Sequence, residues 1–182
     1  MGTARSRPEP VKLFLAVIAT PAKPWEQIVP LLTGRFGAID FITPPYDFSH
    51  TDYYRDEMGA QQFRRYLTFT QSIDREILPD IKAFTNDIES RFSISGKRTI
   101  NLDPGYLGRE KLVLASTKDF FHRIYLRNGI FAEVTLAYRK GRFQYFSWTY
   151  PDYREPLLHE FLQKPRAVLV TEIRLLLDNK LP

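Results

Sequence analysis

The 182-residue sequence predicts an α+β fold. A ferredoxin-like βαββαβ first half over residues 11–106 continues into an antiparallel β-meander and C-terminal helices over 107–182. Three observations carry this. The apolar residues of 11–103 change period in the order strand, helix, strand, strand, helix, strand. Asn128-Gly129 stands between two alternating runs, which is a hairpin signal. After Pro151 the apolar residues return to helical spacing.

Residues 1–10 are polar and predict a disordered tail, so the folded part is expected to be one domain over 11–182. Residues 11–19 are almost continuously apolar and predict a buried central strand. Pro24 suits a first helical turn, and Trp25, Ile28, Leu31 and Leu32 then share a face, with Pro30 expected to kink the helix. Residues 38–43 predict a second strand. Residues 44–59 form a long connection rich in aromatics and acids, a length that loops with a function often have. Asp47, His50, Asp52, Asp56 and Glu57 lie in it, but their spacing matches no metal signature.

Residues 63–73 predict a third strand. Pro79 opens a helix carrying Ile81, Phe84 and Ile88, which Ser95-Gly96 stops. Residues 98–102 predict a fourth strand, ended by the turn signal Asp103-Pro104-Gly105. From Lys111 the chain reads as a meander. Leu112, Val113 and Leu114 start a strand, 121–127 and 130–139 flank Asn128-Gly129, and 142–149 return through Lys140-Gly141. Leu157, Leu158 and Phe161 mark one helix. Pro165 opens another, with Leu169, Ile173 and Leu176 on one stripe.

Composition narrows the chemistry. There is no cysteine, which excludes disulfides, thiol catalysis and cysteine–zinc sites and fits a reducing, cytoplasmic setting. No run reaches the length of a membrane span, and no membrane partner is expected. With 14 Phe, 10 Tyr and 2 Trp the chain is rich in aromatics. Its net charge of +5 lies wholly within 109–154, where nine basic residues face four acidic ones. A localised basic excess suits an anionic partner.

The hairpin arithmetic assembles a candidate site. A two-residue Asn128-Gly129 turn sets Arg127 against Ile130, Tyr125 against Ala132 and Ile124 against Glu133. Arg123, Tyr125, Ile130, Ala132, Val134, Leu136 and Tyr138 then share one sheet face, the expected core. His122, Glu133, Thr135 and Arg139 share the other. A two-residue turn at Lys140-Gly141 adds Trp148, Phe146, Gln144 and Arg142 to that second face and sets Trp148 against Glu133. On this register Glu133 orients His122 as an acid–base pair. Phe146 and Trp148 offer stacking surface, and Lys118, Thr135, Arg139 and Arg142 offer polar and phosphate contacts. The bland reading of the same residues is a hydrogen-bonded polar cluster under a helix.

No P-loop, dinucleotide fingerprint, nucleophile elbow or metalloprotease helix occurs in the sequence. The aromatics of Trp148-Thr149-Tyr150-Pro151-Asp152-Tyr153 are expected to wedge a turn against the core. Three functions stay open. One is a binding module for an anionic planar ligand, meaning a nucleotide or single-stranded nucleic acid. Another is a phosphoester or nucleotide hydrolase using His122 and Glu133 with Asp103 or Lys118. The last is a structural or protein-interaction domain. The sequence specifies no cofactor and no oligomeric state.

Several stretches together resemble a known family. They are Asp47-Phe48-Ser49, Tyr53-Tyr54, Glu57-Met58-Gly59, Asn101-Leu102-Asp103-Pro104-Gly105-Tyr106-Leu107, Lys111-Leu112-Val113-Leu114-Ala115-Ser116-Thr117-Lys118-Asp119, Glu133-Val134-Thr135-Leu136 and Trp148-Thr149-Tyr150-Pro151-Asp152-Tyr153. They are similar to the prokaryotic family known as domain of unknown function 4416, over nearly the whole chain after the tail. That resemblance implies no reaction, ligand or site.

Overall fold

The computed structural model describes residues 8–20, 24–48, 58 and 61–178. Most of the expected tail lies outside them, as do His50, Asp52, Asp56 and Glu57. In chain order the elements are β1 (Val11–Ala19), α1 (Pro24–Phe36), β2 (Ile39–Ile42), β3 (Tyr46–Asp47), β4 (Phe63–Ile73), α2 (Leu78–Arg91), β5 (Ile100–Leu107), β6 (Lys111–Ser116), β7 (Ile124–Arg127), β8 (Ile130–Arg139), β9 (Arg142–Tyr145) and α3 (Pro156–Asp178). Short 3-10 turns occupy Arg75–Ile77 and Pro151–Arg154.

The strands form one mixed-length antiparallel sheet in the order β2-β4-β1-β5-β6-β8-β7, with β3 on β4 and β9 on β8. This is an α+β architecture. β1 is buried at every position because it pairs on both edges and is covered on both faces. Leu13, Leu15 and Val17 pack with Ile28 and Leu32 of α1 and Ile81 and Ile88 of α2. Phe14 and Ala16, on the alternate positions, pack with Tyr66, Leu136, Tyr153 and the α3 residues Leu158 and Leu162. Lys12 is the polar exception in β1. Its ammonium is buried on Asp40 at 2.6 Å and the Phe69 carbonyl at 2.8 Å.

Neither proline ends a helix. Pro30 lies inside α1, and Pro165 lies inside α3, so the two expected C-terminal helices are one. The stripe Leu158, Leu162, Pro165, Leu169 and Ile173 continues across the proline without a break. Its burial outweighs the lost bond, which costs about 3 kcal/mol. α1 ends where Gly37, at φ +84°, donates its N–H to the Thr33 carbonyl, a left-handed cap open to glycine.

Asp103-Pro104-Gly105 does not end a strand, and β5 runs through it to Leu107. Leu102 directs its N–H and C=O away from β1, to Glu89 and Lys82 of α2. Pro104, two residues on, has the same orientation, so its missing N–H removes no bond to β1. Gly105 serves close approach. A Cβ there would stand 2.2 Å from the Val113 carbonyl oxygen of β6. Gly105→Ala is therefore expected to force β5 and β6 apart and to destabilise the protein by about 1–3 kcal/mol in urea unfolding. An unchanged midpoint would show that the two strands separate freely there.

Two bulges overturn the expected faces of the meander. Asn128 (φ +53°) and Gly129 (φ +73°) form the expected turn, and Arg127 pairs with Ile130. Leu126 is then an extra residue, so Tyr125 faces Phe131 and Ile124 faces Ala132. Tyr125, expected in the core, is 58% exposed. In β8 Thr135 is extra, because Leu112 pairs with Leu136 but Val113 pairs with Val134. Alternation reverses there. Ile130 packs with Val113 and Leu78, with Ala132 and Val134 beside them, whereas Leu136 joins the cluster on the α3 face. β9 pairs as expected at Arg139–Arg142 and Ala137–Gln144 but stops at Tyr145. A turn in which Thr149 N–H donates to the Phe146 carbonyl replaces its expected end.

Candidate functional site

The sheet forks between β5 and β6. The two strands pair only through Gly105–Leu114, Tyr106–Val113 and Leu107–Leu112. Above Gly105 they diverge. The open edge of β5 is capped rather than paired. Glu89 Oε1 accepts the Leu102 N–H at 2.6 Å, and Lys82 Nζ donates to the Leu102 carbonyl at 3.0 Å. Burial raises the Glu89 pKa, against the pull of Lys82 and the Leu102 N–H. A cavity of about 560 Å³ opens in this fork.

One wall is the β5 edge and α2. Asn101 donates to Asp103 Oδ2 at 2.6 Å and accepts from Arg98 at 2.9 Å. The opposite wall is the end of β6, with Ser116, Thr117 and Lys118, together with Arg123 and Glu133. Arg123 ties that wall together. Its Nε donates to Glu133 Oε2 at 2.7 Å, and its Nη1 donates to Ser116 Oγ at 2.7 Å and the Lys118 carbonyl at 3.0 Å. Its Nη2 donates to Tyr150 Oη at 3.3 Å.

Arg64 of β4 lies between the walls with Tyr153 and Asp152. It is 2% exposed and bonds Asp152 through Nη2. The rings of Phe48, Tyr66 and Tyr153 stand 5.2–5.3 Å from its guanidinium carbon. Burial opposes its charge, and Tyr153, Asp152 and Tyr66 outweigh that opposition. Its Nε and Nη1, and the Tyr153 hydroxyl, are buried with no partner among the described residues. Buried polar groups are rarely left so.

The residues offered by the sequence divide. Glu133 and Lys118 line the cavity, as does Asp103. His122 and Glu133 are in contact, with Nε2 donating to Oε2 at 3.1 Å. Thr135 donates to the other carboxylate oxygen at 3.1 Å, so it holds Glu133 from behind. His122 itself is not part of the cavity lining and stacks on Trp148 at 5.4 Å. Its Nδ1 is buried with no partner among the described residues. Phe146 stacks on the same indole at 4.7 Å, and Trp148 Nε1 donates to the Val134 carbonyl beside the bulge. Trp148 therefore reaches the region by a turn, not by the expected pairing with Glu133. Arg139 and Arg142 face each other at the exposed end of the β8–β9 hairpin, outside the cavity lining.

Arg64, Arg123, Asp152 and Tyr153 were not offered by the sequence. Arg64 and Arg65 are adjacent in one strand, and nothing local says which points inward. Asp152 did leave a signal, since an acid inside an aromatic run that packs on the core requires a cation. Tyr153 fulfils the expectation that this run wedges against the core, being buried in the α3-side cluster. Among the described residues no group of three His, Asp or Glu is placed to hold a metal, and no helix is long and apolar enough to cross a membrane.

A family model with the description Domain of unknown function (DUF4416) matches residues 9–168. No curated protein and no solved structure matches the chain.

Proposed function

The chain belongs to the DUF4416 family, and we propose that it is a binding protein for a small anionic, planar ligand of nucleotide size. The ligand sits in the β5–β6 fork with its anionic group toward Arg64. The observation that carries this is a set of buried donors with no partner among the described residues, Arg64 Nε, Arg64 Nη1 and Tyr153 Oη. A buried donor left unmade costs about 1–3 kcal/mol, and an anionic acceptor removes that cost. The cavity volume lies in the range of small-molecule sites. Its lining holds five cations, Arg64, Lys82, Arg98, Lys118 and Arg123, and four carboxylates, Glu89, Asp103, Glu133 and Asp152. The amides of Asn86 and Asn101 supply hydrogen bonds for the edge of a planar group.

The ferredoxin-like reading of residues 11–106 belongs with this proposal. The order β2-β4-β1-β5 with α1 and α2 against one face supports it. The contact of His122 with Glu133 supports the hydrolase reading, with Glu133 as the group facing the ligand. Binding is preferred because His122 meets the cavity only through Glu133, which Arg123 and Thr135 already hold.

The test is a thermal-shift panel of nucleosides and their 5′-phosphates, followed by titration calorimetry. Nucleotides are expected to raise Tm and the matching nucleosides are not. Arg64→Lys keeps the charge and removes the fork of donors, and is expected to weaken binding by roughly tenfold. Equal shifts by nucleosides and nucleotides, or none by either, would sink the proposal.

A further inference from the structure

A ridge of exposed rings interleaved with cations borders one side of the cavity. Phe121 is 90% exposed, although a ring of that size usually finds cover. It stands edge-on to His122 at 4.9 Å and to Trp148 at 6.4 Å, so the Trp148 stack holds it upright. Phe120 lies beside it, also exposed, under the Arg123 guanidinium at 4.6 Å. Arg123 and Tyr150, itself exposed, belong to the cavity lining, which joins the ridge to the site. Tyr145 is also exposed, with Arg154 over its ring at 5.1 Å. Lys118, at the rim, is exposed.

We propose that the ridge binds single-stranded nucleic acid, so that the ligand of the cavity is the end nucleotide of a strand and the next base stacks on Phe121. This rests on the binding reading given above for the cavity. Aromatic rings alternating with cations are the chemistry of sequence-tolerant strand binding, in which rings take bases and cations take phosphates. Charge argues for this occupant over a protein partner. The whole net charge of +5 falls within residues 109–154, the segment that contains every ridge residue. Lys118 and Arg154 supply the exposed cations for a backbone running from the cavity over Phe121, Arg154 being fastened to the Ser147 and Thr149 carbonyls that flank Trp148. A lone nucleotide in the cavity would leave Phe121 uncovered.

The experiment compares two probes on the full chain, the four nucleoside 5′-monophosphates and a 5′-phosphorylated single-stranded hexanucleotide of mixed sequence. The hexanucleotide is expected to bind at least tenfold tighter, and Phe121→Ala to abolish that gain while leaving monophosphate binding unchanged. Phe121 is too exposed for its loss to unfold the protein. The hexanucleotide should also weaken with salt, with a slope of about −0.7 for each phosphate contacted. Equal affinity for the two probes, or hexanucleotide binding indifferent to Phe121→Ala, overturns the ridge and leaves the cavity reading standing. Hexanucleotide binding that needs Phe121 but is indifferent to Arg64→Lys sinks the cavity reading instead. A dimer in solution that Phe121→Ala dissociates, with no hexanucleotide bound, assigns the ridge to a second copy of the chain and overturns the proposal.

Discussion

Asp152→Asn is expected to lower the free energy of unfolding by about 3–5 kcal/mol, because it leaves a buried guanidinium without its counter-charge. Arg64 is 2% exposed and Asp152 5%, and the two are in direct contact. The rings of Phe48, Tyr66 and Tyr153 lie against the cation but bring no formal counter-charge. Domains of this kind are stable by about 5–15 kcal/mol, so the loss takes a large share of the total. Urea unfolding at neutral pH measures it. The double replacement Arg64→Met with Asp152→Asn removes the stranded charge and is expected to recover much of the loss. A single-variant loss below about 1 kcal/mol would mean that Arg64 is neutralised by something other than Asp152. The same pair also fastens the 151–154 turn to β4, since Tyr66 Oη donates to the Asp152 carbonyl at 3.0 Å. Loss of the pair should therefore loosen one side of the cavity as well.

Stability is expected to fall steeply above pH 10. Burial raises the pKa of Tyr66 above the ordinary value of 10.0, and Arg64 opposes that rise without cancelling it. Burial raises Tyr153 well above the same value, again against Arg64. For a group whose folded pKa lies above its unfolded one, the contribution to stability is complete below the unfolded value and is lost as pH rises through the folded value. Above pH 10 the unfolded tyrosines release protons that the folded ones keep. Each such group removes about 1.4 kcal/mol per pH unit, so these two remove about 2.8, and Tyr46 and Tyr106, also raised by burial, steepen the fall further. Urea unfolding across this range, with tyrosinate absorbance followed in parallel, checks both sign and slope. In Tyr153→Phe the slope should be shallower by about 1.4 kcal/mol per pH unit. An unchanged slope would show that Tyr153 ionises freely in the folded state.

Much of the architecture was readable in residue order. The run at 11–19 is the buried central strand, 63–73 is β4, and the helix stripes pack through Ile28, Leu32, Ile81, Ile88, Leu158, Leu169 and Ile173, whereas Leu31, Leu157 and Leu176, expected on the same stripes, are exposed. Period survives in sequence because each element buries one face. The breaker signals were less reliable. Pro104 sits in a strand because its missing N–H faces an unpaired edge, and Pro165 sits in a helix because the apolar stripe is continuous across it. Each signal described a local cost that the packing around it outweighed.

The candidate site was half legible. His122 does meet Glu133, and Lys118 lines the same wall, although the register that the Asn128-Gly129 turn predicted is shifted by the bulge at Leu126. One extra residue at Leu126 and another at Thr135 then redistributed the side chains. Tyr125 went to solvent, Leu136 to the other face, and Arg123 onto Glu133. A bulge is one residue long and leaves no periodic trace, so no pattern could announce it. The sequence by itself determined most of the elements, the two turns, the burial of Tyr153 against the core and the concentration of positive charge in 109–154. Only the tertiary structure decided that β5 and β6 part above Gly105, that Arg64 rather than Arg65 turns inward to Asp152, and that a cavity forms between them. Those outcomes depend on contacts between residues far apart in the chain, 88 positions for Arg64 and Asp152. Such contacts are set by how strands align in space, which local pattern does not encode.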